Sequence, residues 1–410
     1  MIDGTVVVNK LLAAQISQKY IFWLSVFMIL IASSFSYLMG YYGGDLYGVG
    51  YKVKLSELIF FTVIYLIGLP VSWFFAQKFS YFKVSGYCFS YRNKQIFSLA
   101  LFLFFFLVVL LALWGGVGTI QRDVNTNRYA ELFFALFDPY VFMVLSIYFV
   151  YLNFGKSFFD RFVLITLSSV YVFLILRSGF TGFLILMLPI FVLALLKIMS
   201  RFKVFLVLAG SILLFPFVRI FKWIVGSGFS VSDIDLPMIF IAAQGVIERF
   251  SAVPNMVYIE NELINKTVLL ETNYLPFFQG YIGSFVHKLF FSSPVYLNTL
   301  YLHQTMQGVN TDSNSTFPLL SYFSLDVYVG CLTLIYGLLL IFILSCLLSL
   351  IFGKSLLGRK LVSFFLFYVI FFYMFNGWFW AVWGVIQASV LFIFFLLLVG
   401  KLSIQCQVIK

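Results

Sequence analysis

The basic residues of this chain fall in the gaps between long charge-free runs, and that spacing points to one class of fold. A helix needs about 20 apolar residues to cross the ~30 Å hydrocarbon core of a bilayer. Charge-free runs occupy 21–44, 58–77, 95–121, 327–353 and 361–400. The last is long enough for two passes, hinged at Asn376-Gly377. Hydrophobic residues make up 63% of the chain and charged residues 10%, with a mean hydropathy of +1.05, which excludes a soluble reading. The expected fold is an all-α polytopic integral membrane protein.

Ten spans are predicted, at 20–40, 57–77, 96–116, 132–153, 162–176, 179–196, 204–219, 328–352, 361–376 and 379–399. Residues 162–196 carry one charge, Arg177, at their centre. As one helix they would reach about 52 Å, too long for a single span, so a hairpin is expected at Arg177-Ser178-Gly179. With the N-terminus cytoplasmic, the inner loops collect 16 of the 26 basic residues but only Asp3 and Asp160 of the 15 acidic ones. Every short inner loop is then net positive, as the positive-inside rule requires, and both termini lie in the cytoplasm. The net charge of +11 is therefore an orientation signal. Nucleic acid is not an expected partner, because a basic patch for it should form one surface. The lipid bilayer is the expected surrounding, and the location a bacterial inner membrane. No cleavable signal pattern is read at the N-terminus, since 20–40 is too long for the apolar core of one. Cys88, Cys331, Cys346 and Cys406 are scattered and form neither a disulfide framework nor a metal site.

The organisation is lopsided: spans one to seven fill 1–219, a large outer loop fills 220–326, and spans eight to ten with the C-terminus fill 327–410. A loop that long is usually functional or internally structured. Apolar residues recur at helical spacing at Ile239, Ala242, Ala243, Val246, Ile247, Phe250, Val253 and Val257, with Gln244, Glu248, Ser251 and Asn255 opposite. That predicts an amphipathic helix on the membrane surface or over a cavity, kinked or ended by Pro254. Residues 308–318 are polar and turn-forming, and amide and hydroxyl groups beside aromatics suit a carbohydrate site.

Charges beside hydrocarbon cost several kcal/mol unless paired or wetted, which singles out the outer arginines. Arg177 sits between two apolar helices, Arg219 ends span seven, Arg249 lies on the loop helix, and Arg122 and Arg128 follow span three. Guanidinium presents a rigid fork of donors matched to phosphate oxygens, so a convergent set would hold a lipid-linked diphosphate. The plainer reading is interfacial snorkelling or local pairing such as Glu248 with Arg249. Two histidines exist, His287 and His303, and His303 is the leading candidate to deprotonate a sugar hydroxyl. Asp312, Asn314 and Asp326, in or beside the polar segment, are candidate sugar ligands. Asp138, within span four, is a candidate partner for an outer arginine. Asp233 and Asp235 have the spacing of a cation-binding pair, which is common by chance. Trp378, Trp380 and Trp383 read first as interfacial anchors and second as sugar-stacking rings.

With these residues in place, the chain resembles the Wzy-type polysaccharide polymerases, relatives of the O-antigen ligases. The resemblance rests on the span count, the late outer loop, and short matches. These are Leu176-Arg177-Ser178-Gly179 before an apolar helix, Glu248-Arg249-Phe250-Ser251 in the loop, and the polar run 310–316 followed by Phe317-Pro318. It implies a GT-C-like membrane glycosyltransferase of the periplasmic face. Such an enzyme moves a growing glycan from undecaprenyl diphosphate onto a lipid-linked repeat unit. It further implies catalytic roles for Arg249 and His303, no metal or cofactor, and a chain-length regulator protein as a candidate partner; the charge argument above adds Arg177 as catalytic. A lipid-linked oligosaccharide flippase, an O-antigen ligase and a membrane acyltransferase are the alternatives.

Overall fold

A computed structural model of the chain describes residues 4–39, 54–81, 87–90, 94–115, 127–153, 180–227, 319–353, 355–399 and 401–404, with separate residues within 234–260 and 285–289. The helices are α1 (Gly4–Met39), α2 (Leu55–Ser80), α3 (Lys94–Gly115), α4 (Arg128–Leu136), α5 (Pro139–Asn153), α6 (Phe180–Leu196), α7 (Arg201–Ser227), α8 (Ser321–Leu325), α9 (Val327–Phe352), α10 (Leu356–Tyr368) and α11 (Phe379–Val399). A π-helical segment, Val369–Met374, continues α10. Strands β1 (Tyr87–Ser90) and β2 (Lys401–Ile404) add a small antiparallel ribbon to an otherwise helical chain, in the register Tyr87 to Ile404 through Ser90 to Lys401.

Five helical stretches are long and apolar enough to cross a membrane, or six if α4 and α5 form one span bent by 42°. The chain is thus a multi-pass helical membrane protein. Helices lie over every expected span but 162–176, which is outside the described residues, yet α3, α6 and α7 are not among the helices long and apolar enough to cross. Two bounds differ. Helix α1 starts at Gly4 rather than near residue 20, because nothing in Thr5–Lys19 breaks a helix and Lys10 finds a partner inside the protein. Helix α7 runs on to Ser227, past the end expected at 219 and with Pro216 inside it, so Arg219 belongs to a helix rather than to its end.

Short-range chemistry sets the helix ends. Asp326 caps α9 by accepting from Tyr328 N–H at 2.6 Å, and α9 stops at Gly353, whose φ of 70° is the left-handed geometry that glycine tolerates. Ser355 accepts from Gly358 N–H at 3.0 Å to start α10. Within the helices, hydroxyls bond back to their own turn, as in Ser17 to Ala13 O, Ser72 to Gly68 O and Ser389 to Val385 O. Apolar surroundings leave such groups no water, so a carbonyl four residues back is the available acceptor.

Helix α10 stands at the centre. Buried residues fill 72% of the most apolar window of its span, against 39% in each of the other four. It packs on α2, α1 and α9, while α11 packs on α9 and α5. Helix α5 is enclosed as well, with every residue from Val141 to Tyr151 buried. An aromatic cluster around Phe142 joins Phe104, Phe105, Phe137, Phe392 and Phe395 through contacts of 4.9–5.9 Å. Outward faces carry Trp23, Phe27, Phe60, Phe106, Leu107 and Leu398, the large apolar side chains that lipid accepts.

Both ends of the bundle have a consistent identity. Lys10 near the start of α1 donates to Tyr151 O near the end of α5 at 3.0 Å, and β1 after α2 pairs with β2 after α11. Arg359 lies 5.6 Å from the Tyr81 ring. Lys78, Lys94, Lys197, Arg201, Lys203, Arg359, Lys360 and Lys401 thus belong to chain segments at one end, called the basic end below. The starts of α2, α5, α6, α9 and α11 belong to the other end.

Candidate functional site

The end opposite the basic residues holds a cluster of polar groups drawn from the two most enclosed helices. Asp138 occupies the bend between α4 and α5. Its Oδ1 accepts from Tyr140 N–H at 2.9 Å and Val141 N–H at 3.2 Å, which caps α5. Pro139, the first helical residue, lacks the N–H that would otherwise need a partner there. Across from it, the tyrosine hydroxyls of Tyr368 and Tyr373 lie 3.4 Å apart, and the Asp138 carboxylate is near enough for its charge to act on both.

The π-segment creates this pairing. Residues five apart in an α-helix point about 140° away from one another, so Tyr368 and Tyr373 would face different neighbours. The wider turn, with bonds from Phe375 N–H to Ile370 O at 2.9 Å and Trp378 N–H to Tyr373 O at 2.8 Å, brings both hydroxyls to one side. Segments of this kind occur often at functional sites. Gly182 makes room for the cluster, and Gly384 lies beside it. A Cβ on Gly182 of α6 would stand 2.9 Å from the Tyr368 hydroxyl and 3.4 Å from that of Tyr373. A Cβ on Gly384 of α11 would lie 3.9 Å from Asp138 Oδ2. Beyond the π-segment, Gly377 turns the chain with φ of 73°, and Asn376 donates to Phe372 O at 2.8 Å. The rings of Tyr373, Trp378 and Trp380 follow one another with centroid spacings of 6.3 and 6.5 Å. Trp383 instead donates to the Tyr336 hydroxyl at 2.7 Å, a tie between α11 and α9.

Several segments singled out in the sequence lead into this cluster. Helix α6 starts three residues after Arg177. Leu319, directly after Phe317-Pro318, donates its N–H to Phe375 O at 2.8 Å, and the Tyr65 hydroxyl reaches the same carbonyl at 3.4 Å. The hinge expected at Asn376-Gly377 is the turn just described. In the loop, Val253, Met256 and Val257 join the hydrophobic core, whereas Leu236 and Phe240 are exposed. The helical turn at 253–257 is therefore docked into the bundle rather than laid on its surface. Pro254 neither ends nor precedes that turn but is helical and buried within it.

Of the expected site residues, Arg122, Arg177, Glu248, Arg249, His303, Asp312 and Asn314 lie outside the described residues, as do Asp233 and His287. Arg128 is exposed at the first position of α4, which Asn127 caps by accepting from Tyr129 N–H at 2.9 Å. A cation there opposes the helix dipole, so helix stability does not explain it. Asp326 is exposed and acts as the α9 cap, and Asp235 likewise accepts from Met238 N–H at 2.9 Å. Capping is a sufficient structural reason for both. Among the described residues, no group of three or more His, Cys, Asp or Glu is placed to hold a metal ion.

Tyr368 and Tyr373 were missed by reasoning from sequence, which reads two tyrosines in an aromatic-rich span as core. Asp138 was found there, as a charge inside a span and a candidate partner for an outer arginine; Arg122, Arg177 and Arg249 lie outside the described residues. The chain matches no protein-family model, no curated protein and no solved structure.

Proposed function

We propose that the protein is a membrane glycosyltransferase that polymerises undecaprenyl-diphosphate-linked oligosaccharide repeat units at the periplasmic face of the inner membrane. The observation that carries this reading is the convergence at one end of the bundle. The helix that follows Arg177, the end of the polar loop, and the hinge at Asn376-Gly377 all meet around Asp138, Tyr368 and Tyr373. The positive-inside pattern assigns the other end to the cytoplasm.

The chemistry follows from charge. An acceptor sugar hydroxyl attacks the anomeric carbon of the donor, and undecaprenyl diphosphate leaves with the bonding pair. Negative charge grows on the diphosphate as that bond breaks, so fixed cations there favour the transition state over the ground state. Arg177 and Arg249 are assigned this role, with Arg122, Arg128 and Arg219 guiding the lipid-linked anion and Glu248 orienting Arg249. Asp312, Asn314 and Asp326 are assigned to the sugar, and His303 to a proton at the reacting hydroxyl. No metal or cofactor is assigned.

The experiment is reconstitution of the full chain in proteoliposomes with lipid-linked repeat units, scoring product length on a gel. Polymer should form with the wild type and drop on the order of 100-fold in Arg177→Ala and Arg249→Ala, the scale seen when one charge-stabilising donor is removed. Undiminished polymer from both variants, or labelling of cysteines introduced in 220–326 only from the cytoplasmic side, removes this reading.

A further inference from the structure

We infer that Asp138, with the hydroxyls of Tyr368 and Tyr373, binds the acceptor sugar hydroxyl, and that the Asp138 carboxylate, in place of His303, takes its proton. The inference rests on the function proposed above and identifies the acceptor half of the same site.

Three aspartates in the described residues cap helices, and comparison among them isolates what is unusual. Asp235 and Asp326 are exposed, where water serves the oxygen that the cap leaves over. Asp138 is mostly withdrawn from solvent at the head of an enclosed helix, and among the described residues its Oδ2 has no hydrogen-bond partner. Among the described residues no cation pairs with Asp138, and an acid within a span is a functional group by default. Around it stand two hydroxyls whose mutual contact of 3.4 Å is long for an O–H to O bond and leaves capacity in both. On α11, three residues after Gly384, Gln387 Oε1 is buried without a donor among the described residues. Among the described residues, these groups therefore keep acceptor and donor capacity open.

That set matches a polyol. A carboxylate accepts from a sugar hydroxyl, phenol hydroxyls donate to and accept from its neighbours, and the Tyr373, Trp378 and Trp380 rings give the apolar sugar face a surface. The step balances without a further reactant. The acceptor O–H proton moves to Asp138, the oxygen forms the new bond to the anomeric carbon, and the old carbon–oxygen bond to diphosphate breaks with its pair on the phosphate. The protonated carboxyl then gives its proton to water, which restores the carboxylate.

Asn caps a helix as well as Asp does, so Asp138→Asn keeps the α5 cap and removes only the base. The test uses full-length protein in proteoliposomes with undecaprenyl-diphosphate-linked repeat units extracted from cells deleted for this gene. In Asp138→Asn, kcat for chain extension should fall on the order of 100-fold or more, the usual range for loss of a general base, with Tm and KM for the repeat unit little changed. Tyr368→Phe and Tyr373→Phe keep the ring packing and should each raise KM at least about fivefold, an effect of losing one substrate hydrogen bond. A loss under tenfold in Asp138→Asn overturns the inference, as does a loss in His303→Ala alone. Should Asp138→Asn fail to fold, an unchanged KM in both tyrosine variants overturns it. No extension by the wild type sinks the polymerase reading itself, whereas an active wild type beside an active Asp138→Asn sinks only the role of Asp138.

Discussion

Tyr148 and the pair Tyr368–Tyr373 are the same residue type in the same enclosed interior, yet they are used differently. Tyr148 donates to Leu186 O at 2.7 Å and ties α5 to α6. Toward the basic end the pattern repeats: Ser345 donates to Phe79 O at 2.7 Å, and Lys10 donates to Tyr151 O while lying 4.0 Å from that ring's centroid. There, Ser345 and Lys10 are each matched by a carbonyl on another helix. At the opposite end, among the described residues, the hydroxyls of Tyr368 and Tyr373 meet only each other, beside a carboxylate with one oxygen left over. The first arrangement consumes hydrogen-bonding capacity to hold helices in register. The second keeps capacity open, which a bundle needing only stability would avoid because unmatched buried polar groups cost about 1–3 kcal/mol each.

Two glycines give the sharpest way to break this contrast. Gly182→Ala places a methyl group against the Tyr368 hydroxyl, whereas a Cβ at Gly210 on α7 meets nothing within 4 Å. Displacing a substrate-binding group by about 1 Å can cost on the order of 100-fold in rate, so Gly182→Ala should lose most chain extension while Gly210→Ala keeps it. Equal activities in the reconstituted assay would show that the cluster has no bearing on function. Next in size is Gly68→Ala. Its new methyl group would lie 2.6 Å from Phe375 Cε1, at the end of the π-segment. Overpacking of this kind costs about 1–3 kcal/mol, read as a lowered Tm, and should also disturb the Tyr368–Tyr373 pairing. Tyr148→Phe sharpens the other side of the comparison. It should lower stability by about 1 kcal/mol and leave extension rates intact, because a tether is lost and no ligand contact. A large loss of activity with unchanged Tm would put Tyr148 in the wrong class.

How much of this was readable in advance differs between the two ends. Charge-free runs and lysine spacing marked the helices and the basic end, since hydrocarbon penalises charge wherever it falls and leaves that record in composition. Asp138 was visible for the same reason. Tyr368 and Tyr373 were not, because their meeting depends on a change of helical pitch that packing against α2 accommodates at Gly68, and apolar periodicity is silent about pitch. The end of α7 was misplaced because Arg219 reads as the close of a span, yet the helix runs on past it to Ser227. Arg177, Arg249 and His303 stay where the sequence put them, as expectations to be tested by substitution.

Asp326 supplies the smallest effect and a direct check on reasoning from residue type. Beside the polar run, its carboxylate suggested a sugar ligand, but its Oδ1 accepts from Tyr328 N–H and its backbone is extended at the start of α9. If capping is its main use, Asp326→Ala should cost up to about 1 kcal/mol, and Asp326→Asn should restore nearly all of it. Extension rates should then track stability across the two variants. A variant with Asn that regains the wild-type Tm but extends chains several-fold more slowly would return Asp326 to the sugar site. It would also show that capping and ligand binding can share one carboxylate here, as Asp138 is inferred to do with its two oxygens.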